Sequence, residues 1–336
     1  MIFGNFIING FKNNECFKLG SRDDCSLPFI ELRNKLKKHD IEINTSDLNT
    51  KNVVSFEIHI DNQVKSSLKV PTFLLLYETS YVNRKNASVD GMKYKKVYTW
   101  DDDLVISKNF NKFFLPVANQ NIIYVPGFED RSGFCCAMSG NKSTLKKHKK
   151  DLYSERVKAF TWFEKNAPHD FDLYGPGWER PIERSGYMNK ILSKLANMFN
   201  LKVNNFKKTY KGFAKSKSSV LQQYKYSICY ENAFGLNGYI TEKIFDSMFF
   251  GTVPVYWGAD NISLYIPEEC FIDRRNFFDD KSLYKFLKSI DKDTFMCYQQ
   301  AINSFLKSDK FRKFSVEYFV DEISNEIIKE LGINEN

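Results

Sequence analysis

Apolar positions along the chain recur with two periods. Short runs rich in β-branched and aromatic residues predict strands over 41–44, 54–60, 73–77, 96–100, 122–126, 134–139, 170–174, 226–230 and 253–257. Apolar residues three and four positions apart predict helices over 26–38, 152–165, 187–199, 241–250, 281–290, 294–307 and 311–331. Strands and helices alternate in both halves, the pattern of an α/β fold built on parallel sheets.

The most informative stretch is 226–258. An apolar run, Tyr226 to Tyr230, ends at the polar pair Glu231 and Asn232, and a loop containing Gly235 and Gly238 follows. Thr241 is placed to cap a helix with Ile244, Phe245, Met248 and Phe249 on one face and Glu242, Lys243, Asp246 and Ser247 on the other. Gly251 is placed to end it, and Val253 to Trp257 returns as a strand with Pro254 near its start. A strand–loop–helix–strand unit sets a helix N-terminus at the carboxyl end of a parallel strand, where open α/β sheets take their ligands. Backbone N–H groups there favour anions, and Lys243 adds a full positive charge, so phosphate is the expected guest. Glu231, Asn232, Tyr239 and Glu242 offer partners for hydroxyl groups, which extends the expectation to a sugar phosphate.

The 336 residues suffice for two domains with cores of ordinary size. A net charge of +8 suits a phosphorylated ligand or an anionic membrane surface, and no nucleic-acid partner is expected. Seven cysteines lack the spacing of a disulfide framework or zinc site, so reduced, mostly buried thiols are expected. The start, MIFGNFIINGFKNN, lacks a basic segment leading into a long apolar core, and no apolar run of about 18 residues occurs. A cytoplasmic protein without a transmembrane segment is expected, with peripheral contact to a membrane left open.

Other residues carry candidate chemistry. Glu78 ends the apolar strand over 73–77, where a carboxylate faces a crevice rather than the core. Asp101, Asp102 and Asp103 follow another strand and read either as a helix cap or as a metal-binding run. The basic stretch 142–150 reads as the crossing between domains. Gly175-Pro176-Gly177-Trp178 is a turn that lets backbone approach a ligand closely, and Phe206 to Gly212 is a basic loop. His59 and His169 qualify as proton acceptors on chemistry alone.

Taken together, Tyr230-Glu231-Asn232, Gly238-Tyr239-Ile240-Thr241-Glu242-Lys243-Ile244 and Gly251-Thr252-Val253-Pro254-Val255-Tyr256-Trp257-Gly258 closely resemble the signature of the α1,3/α1,4-fucosyltransferases, glycosyltransferase family ten. The resemblance implies a GT-B architecture, two Rossmann-like domains facing across a cleft: an acceptor-binding domain over 1–150 and a nucleotide-sugar-binding domain with terminal helices over 151–336. It implies inverting transfer of L-fucose from GDP-fucose to a glycan hydroxyl, through an α1,3 or α1,4 linkage, with no required cofactor or metal. Glu78 is the base that the resemblance selects. Lys243, Glu242, Tyr239, Asn232, Glu231 and Thr241 are the donor-binding residues. Where the family places an arginine on the diphosphate, this chain offers Lys207 and Lys211, equally well placed by count. Acceptors of the N-acetyllactosamine or lipopolysaccharide type both fit, and no sustained heptad array supports a coiled-coil dimer. Two alternatives are a metal-dependent GT-A enzyme using Asp101 to Asp103 with another nucleotide sugar, and a silent sugar-nucleotide- or glycan-binding protein.

Overall fold

The structure is a computed structural model, and it describes residues 1–20, 25–61, 69–108, 110–118, 125–203 and 205–333. Contacts divide the chain into two compact units, Met1–Asn119 with Phe311–Asn336, and Gln120–Lys310.

The first unit runs β1 (Ile2–Ile7), α1 (Leu27–Lys37), β2 (Ile41–Thr45), β3 (Val54–Ile60), β4 (Thr72–Leu76), β5 (Lys96–Thr99), α2 (Asp102–Lys108) and β6 (Asn111–Lys112). Among the described residues these form a six-stranded sheet in the order β2-β1-β3-β4-β5-β6, with every pair parallel. β4 is buried along its whole length, as a central parallel strand must be. β1 was not among the expected strands: its sequence, IFGNFI, does not alternate apolar and polar residues, and pairing with β2 and β3 sets it in the sheet.

The second unit runs β7 (Gly133–Met138), α3 (Leu152–Asn166), β8 (Phe171–Tyr174), α4 (Tyr187–Met198), β9 (Tyr210–Gly212), α5 (Lys217–Leu221), β10 (Tyr224–Tyr230), α6 (Glu242–Phe249), β11 (Val253–Trp257), β12 (Ile272–Asp273), α7 (Asp280–Ser289) and α8 (Lys292–Leu306). Its sheet, again six parallel strands among the described residues, has the order β12-β11-β10-β7-β8-β9. Aromatic rings fill the space between α3 and the sheet, with Phe163 and Phe171 stacked at 4.6 Å and Phe160, Trp178 and Phe206 around them.

The division differs from the one expected at 150. β7 is an inner strand of the second sheet, paired with both β10 and β8, so the second unit begins upstream of it. The basic stretch 142–150 is therefore no crossing between units; it lies inside the second one, where Lys150 hydrogen-bonds the Gly235 carbonyl. The chain also returns to its beginning. Instead of one helix over 311–331, a short α9 (Asp309–Arg312) precedes α10 (Val316–Glu330), which is capped by the Ser315 hydroxyl and packs on α1 in the first unit. The strand expected over 122–126 has residues 122–124 outside the described residues, and 125–126 are not in a strand.

The aspartate run is a helix start. The Asp101 carboxylate accepts from the Asp103 and Leu104 N–H groups, and Asp102 pairs with Lys112 at 2.6 Å. The turn at Gly175 does make a close approach, but to the protein itself: a Cβ there would sit 2.1 Å from the Ser139 carbonyl oxygen, at φ +134°. Five of the seven cysteines are buried, as expected.

Candidate donor site

The carboxyl end of β10 carries a buried carboxylate, that of Glu231, with none of its surface exposed. A carboxylate so placed must be hydrogen-bonded and charge-compensated, or its desolvation would cost several kcal/mol. The chain meets that demand from the start of α6. Thr241 donates its backbone N–H to Glu231 Oε1 at 2.9 Å and its hydroxyl to Oε2 at 2.8 Å. The Lys243 ammonium stands 3.2 Å from Oε2 and donates to the Thr241 hydroxyl at 2.8 Å. Gly258, at the end of β11, closes the back of this arrangement. A Cβ there would fall 2.3 Å from the Tyr256 hydroxyl and 2.6 Å from Glu231 Cγ, so only hydrogen fits.

Thr241 occupies the N-cap position with extended backbone, yet its side chain makes no cap hydrogen bond, contrary to its expected role. The hydroxyl is committed to Glu231 instead. Ser247 also departs from its expected solvent face: it is buried, with its hydroxyl 3.1 Å from Cys229 Sγ.

Electrostatics keep the group charged. Burial would lower the pKa of the Lys243 ammonium, but the Glu231 and Glu242 carboxylates outweigh it and hold the group above the ordinary lysine range. Glu242 is about half exposed; partial desolvation opposes its ionisation, and Lys243 and Lys217 override it, bringing the carboxyl down to about 2. The Lys243 side chain retains about a quarter of its exposure, so its charge faces outward as well as toward Glu231.

Arg156 completes the cluster, and nothing in the spacing of α3 singled it out. It is 6% exposed and donates from Nε and one terminal nitrogen to the Tyr230 carbonyl, at 3.0 and 2.6 Å, and to Asn232 Oδ1 at 3.1 Å. Asn232 in turn donates to the Tyr239 hydroxyl at 3.3 Å. Burial lowers the Arg156 pKa while Tyr153, Glu231, Tyr239 and Glu242 act to raise it, and a guanidinium remains cationic throughout. The signal that could have found it was structural: the segment carrying Asp151 and Leu152 is bonded to Asn232 and Ala233, which brings α3 to the loop after β10.

The structure thus gathers Glu231, Asn232, Tyr239, Thr241, Glu242 and Lys243 around one strand end. It does not gather the two loop lysines there. Lys207 precedes β9 at the end where that strand begins, next to backbone N–H groups held by Glu164 near the end of α3. Lys211 lies on β9, the edge strand, separated from β10 by β8 and β7, and pairs with Asp172 at 3.2 Å.

In the first unit, Glu78 follows β4 and is exposed. Its backbone is fixed by the Asp61 carboxylate, which accepts from the Tyr77 and Glu78 N–H groups at 2.9 and 3.0 Å and from the Asn86 amide at 2.8 Å. Asp61 was not among the candidates; it adopts φ +61° at the end of β3, and burial raises its pKa against these hydrogen bonds. His59 is fully buried within β3 beside Glu57, at 2.8 Å, and His169 is exposed on a short turn before β8.

Residues 177–313 match the model of glycosyltransferase family 10 (fucosyltransferase), C-terminal part. The match covers less than half of the chain. The α-(1,3)-fucosyltransferase FucT of Helicobacter pylori is 31% identical over 125 residues, 34% of this chain and 26% of that protein. A GDP-fucose protein O-fucosyltransferase 3 of Danio rerio is 39% identical over 75 residues, 22% of this chain and 16% of that protein. The chain therefore matches about a quarter or less of the length of these relatives. An α1,3-fucosyltransferase solved with GDP aligns with all of this chain and 91% of its own at a TM-score of 0.54 and 13% identity. A glycosyltransferase of Rickettsia africae aligns over 99% of both chains at 0.56 and 12%. These likenesses show the fold, which is of the GT-B class. The matched segment includes α6, β11 and every residue of the Glu231 cluster except Arg156.

If Glu231 holds this cluster together, Glu231→Gln keeps its shape but leaves Lys243 without its buried counter-charge. Chemical denaturation should show a loss of about 3 kcal/mol, the range for breaking a buried ion pair from one side. A loss below about 0.5 kcal/mol would mean that the carboxylate is dispensable to the site's architecture.

Proposed function

We propose that the protein is an inverting fucosyltransferase that moves L-fucose from GDP-fucose to a hydroxyl of a glycan acceptor, in α1,3 or α1,4 linkage. The observation that carries this reading is the cationic pair Lys243 and Arg156, set around the buried Glu231 at the carboxyl end of β10, a strand in the segment that matches family 10. Lys243 meets the diphosphate directly, with the first turn of α6 adding its dipole. Arg156, bonded to the Tyr230 carbonyl and Asn232, fixes the loop that presents Asn232 and Tyr239 to the sugar nucleotide. Lys211, on the edge strand and paired with Asp172, and Lys207, at the far end of β9, stand apart from this strand end and take no part in the reading. Glu242 and Thr241 hold Lys243 in place.

Chemistry at the anomeric carbon then balances simply. The acceptor oxygen forms the new bond to the anomeric carbon, the bond from that carbon to the diphosphate oxygen breaks with its electron pair, and GDP departs as the more highly charged anion. The acceptor proton passes to the carboxylate of Glu78, the residue that follows β4 in the first unit and whose backbone N–H is bound by Asp61. Lysine, arginine and helix dipole meet the departing charge in this reading, with no divalent ion required. The aspartate run does not support the metal-dependent alternative, because Asp101 caps α2 and Asp102 pairs with Lys112.

Lys243→Ala removes one charge-assisted contact, worth about 1.5 to 3 kcal/mol, so GDP affinity measured by calorimetry should fall roughly 10- to 150-fold. Unchanged affinity would take Lys243 out of the donor site. Glu78→Gln retains shape and removes the proton acceptor. It should bind GDP-fucose like the parent and lose about 10²- to 10⁴-fold in kcat and kcat/KM alike. Folded Glu78→Gln that transfers fucose within about threefold of the parent would place the base elsewhere.

A further inference from the structure

α4 is amphipathic in the inverse sense to α6 and α8. In α6 and α8 the apolar residues face the protein, with Ile244, Phe245 and Met248 buried on the first and Phe295, Ile302 and Phe305 on the second. In α4 the residues nearest the body of the unit are Asn189, Ser193 and Ala196, small or polar, while the apolar stripe faces solvent. Met188 is 67% exposed, Leu192 59%, Leu195 43% and Phe199 67%, and Ile191 lies between them at 37%. These positions are three and four residues apart and form one continuous strip along the helix.

The helix is not a loosely attached tail. Its start is tied down by Gly186 N–H to the Thr144 carbonyl at 3.3 Å and by the buried Thr144–Ser185 hydroxyl pair at 3.0 Å. Just past its end, Val203 N–H ties the chain to the Glu179 carbonyl at 2.9 Å. A strip of large apolar side chains held outward from a fixed helix is a surface that calls for a partner.

Charge identifies the partner. From Arg184 to Tyr230 the chain carries ten basic residues and not one Asp or Glu, although acidic residues are spread through the rest of the sequence. Lys194 lies on α4 itself, three residues after Ile191, at the border of the apolar strip, while Lys190 is paired with the Glu183 carboxylate at 2.5 Å. A fixed helix with an apolar strip bordered by Lys194, in a stretch of sequence that is strongly basic, fits the interface of an anionic bilayer, where apolar side chains enter the acyl boundary and ammonium groups meet phosphate. Among the described residues no helix is long and apolar enough to cross a membrane, so contact of this kind would lie along the surface.

We propose that α4 docks the protein on anionic phospholipid membranes, with Met188, Ile191, Leu192, Leu195 and Phe199 inserted. The site is distinct from the Glu231 cluster, and its test does not depend on the activity proposed above. Flotation with vesicles of phosphatidylcholine, with and without about one third phosphatidylglycerol, reads the partition directly. The intact protein should float with the anionic vesicles, and raising salt from about 0.05 to about 0.5 M should release much of it by screening. The double variant Leu192→Glu and Leu195→Glu puts carboxylates on the strip at exposed positions, so folding should survive. It should bind the anionic vesicles at least tenfold more weakly, with an unchanged unfolding midpoint and unchanged GDP affinity. No flotation of the intact protein, or equal flotation of the double variant, overturns the proposal. So does a concentration-dependent dimer, seen by light scattering without lipid and abolished by the double variant, since the strip would then be covered by a second copy of the chain.

Discussion

The ionic contact between Glu231 and Lys243 is the constraint on which the second unit's ligand edge depends. A carboxylate removed from water at the end of β10 is tolerable only if the start of α6 comes back over it, and Thr241 and Lys243 do so within three residues of sequence. The requirement fixes the loop between them, since Thr241 must present both N–H and hydroxyl to the same group. It also explains Gly258, whose missing side chain leaves room for Glu231 and Tyr256. Arg156 balances the cluster from the other side by bonding Tyr230 and Asn232, so two cations and two carboxylates, Glu231 and Glu242, share one strand end. The ammonium is thereby kept charged and positioned before any ligand arrives, which is what electrostatic stabilisation of a departing diphosphate asks of a protein.

Legibility in the sequence followed the range of the interactions involved. The β10–α6–β11 unit could be read because each of its signals is local: an apolar run, a loop with glycines, a threonine at a helix start and a glycine at φ +65° at its end. Sequence spacing alone missed Arg156, because its partners lie more than seventy residues away across a strand end. The boundary between units was displaced for the same kind of reason. β7 joins the second sheet through pairing with β10, and α10 returns to α1 across nearly the whole chain, contacts that no window of residues contains. Thr241 shows a subtler limit. The residue type and backbone suited a helix cap, but a buried carboxylate competes for the same hydroxyl and wins. Lys207 and Lys211 were equivalent by count, whereas strand order puts one at the wrong end of β9 and the other on an edge strand paired with Asp172.

The two units also solve the placement of carboxylates differently. Glu231 is enclosed and answered by cations, while Glu78 is exposed, with its backbone N–H bound by Asp61. The first arrangement suits a group that organises others, and the second suits a group that must reach a substrate and exchange a proton with it. α4 adds a third way of using exposure, since its apolar strip is held outward by ties at both ends rather than folded into the core.

The account rests on the second unit taking a GDP sugar and giving up fucose without help from a metal ion. The most direct measurement is incubation of the purified protein with GDP-fucose and a panel of oligosaccharides in the presence of EDTA, with products identified by mass and GDP release followed in parallel. The account predicts a single deoxyhexose added to at least one acceptor, with GDP released in equal amount. Transfer from a UDP sugar in preference to GDP-fucose, or transfer abolished by EDTA and restored by Mn²⁺, would contradict it.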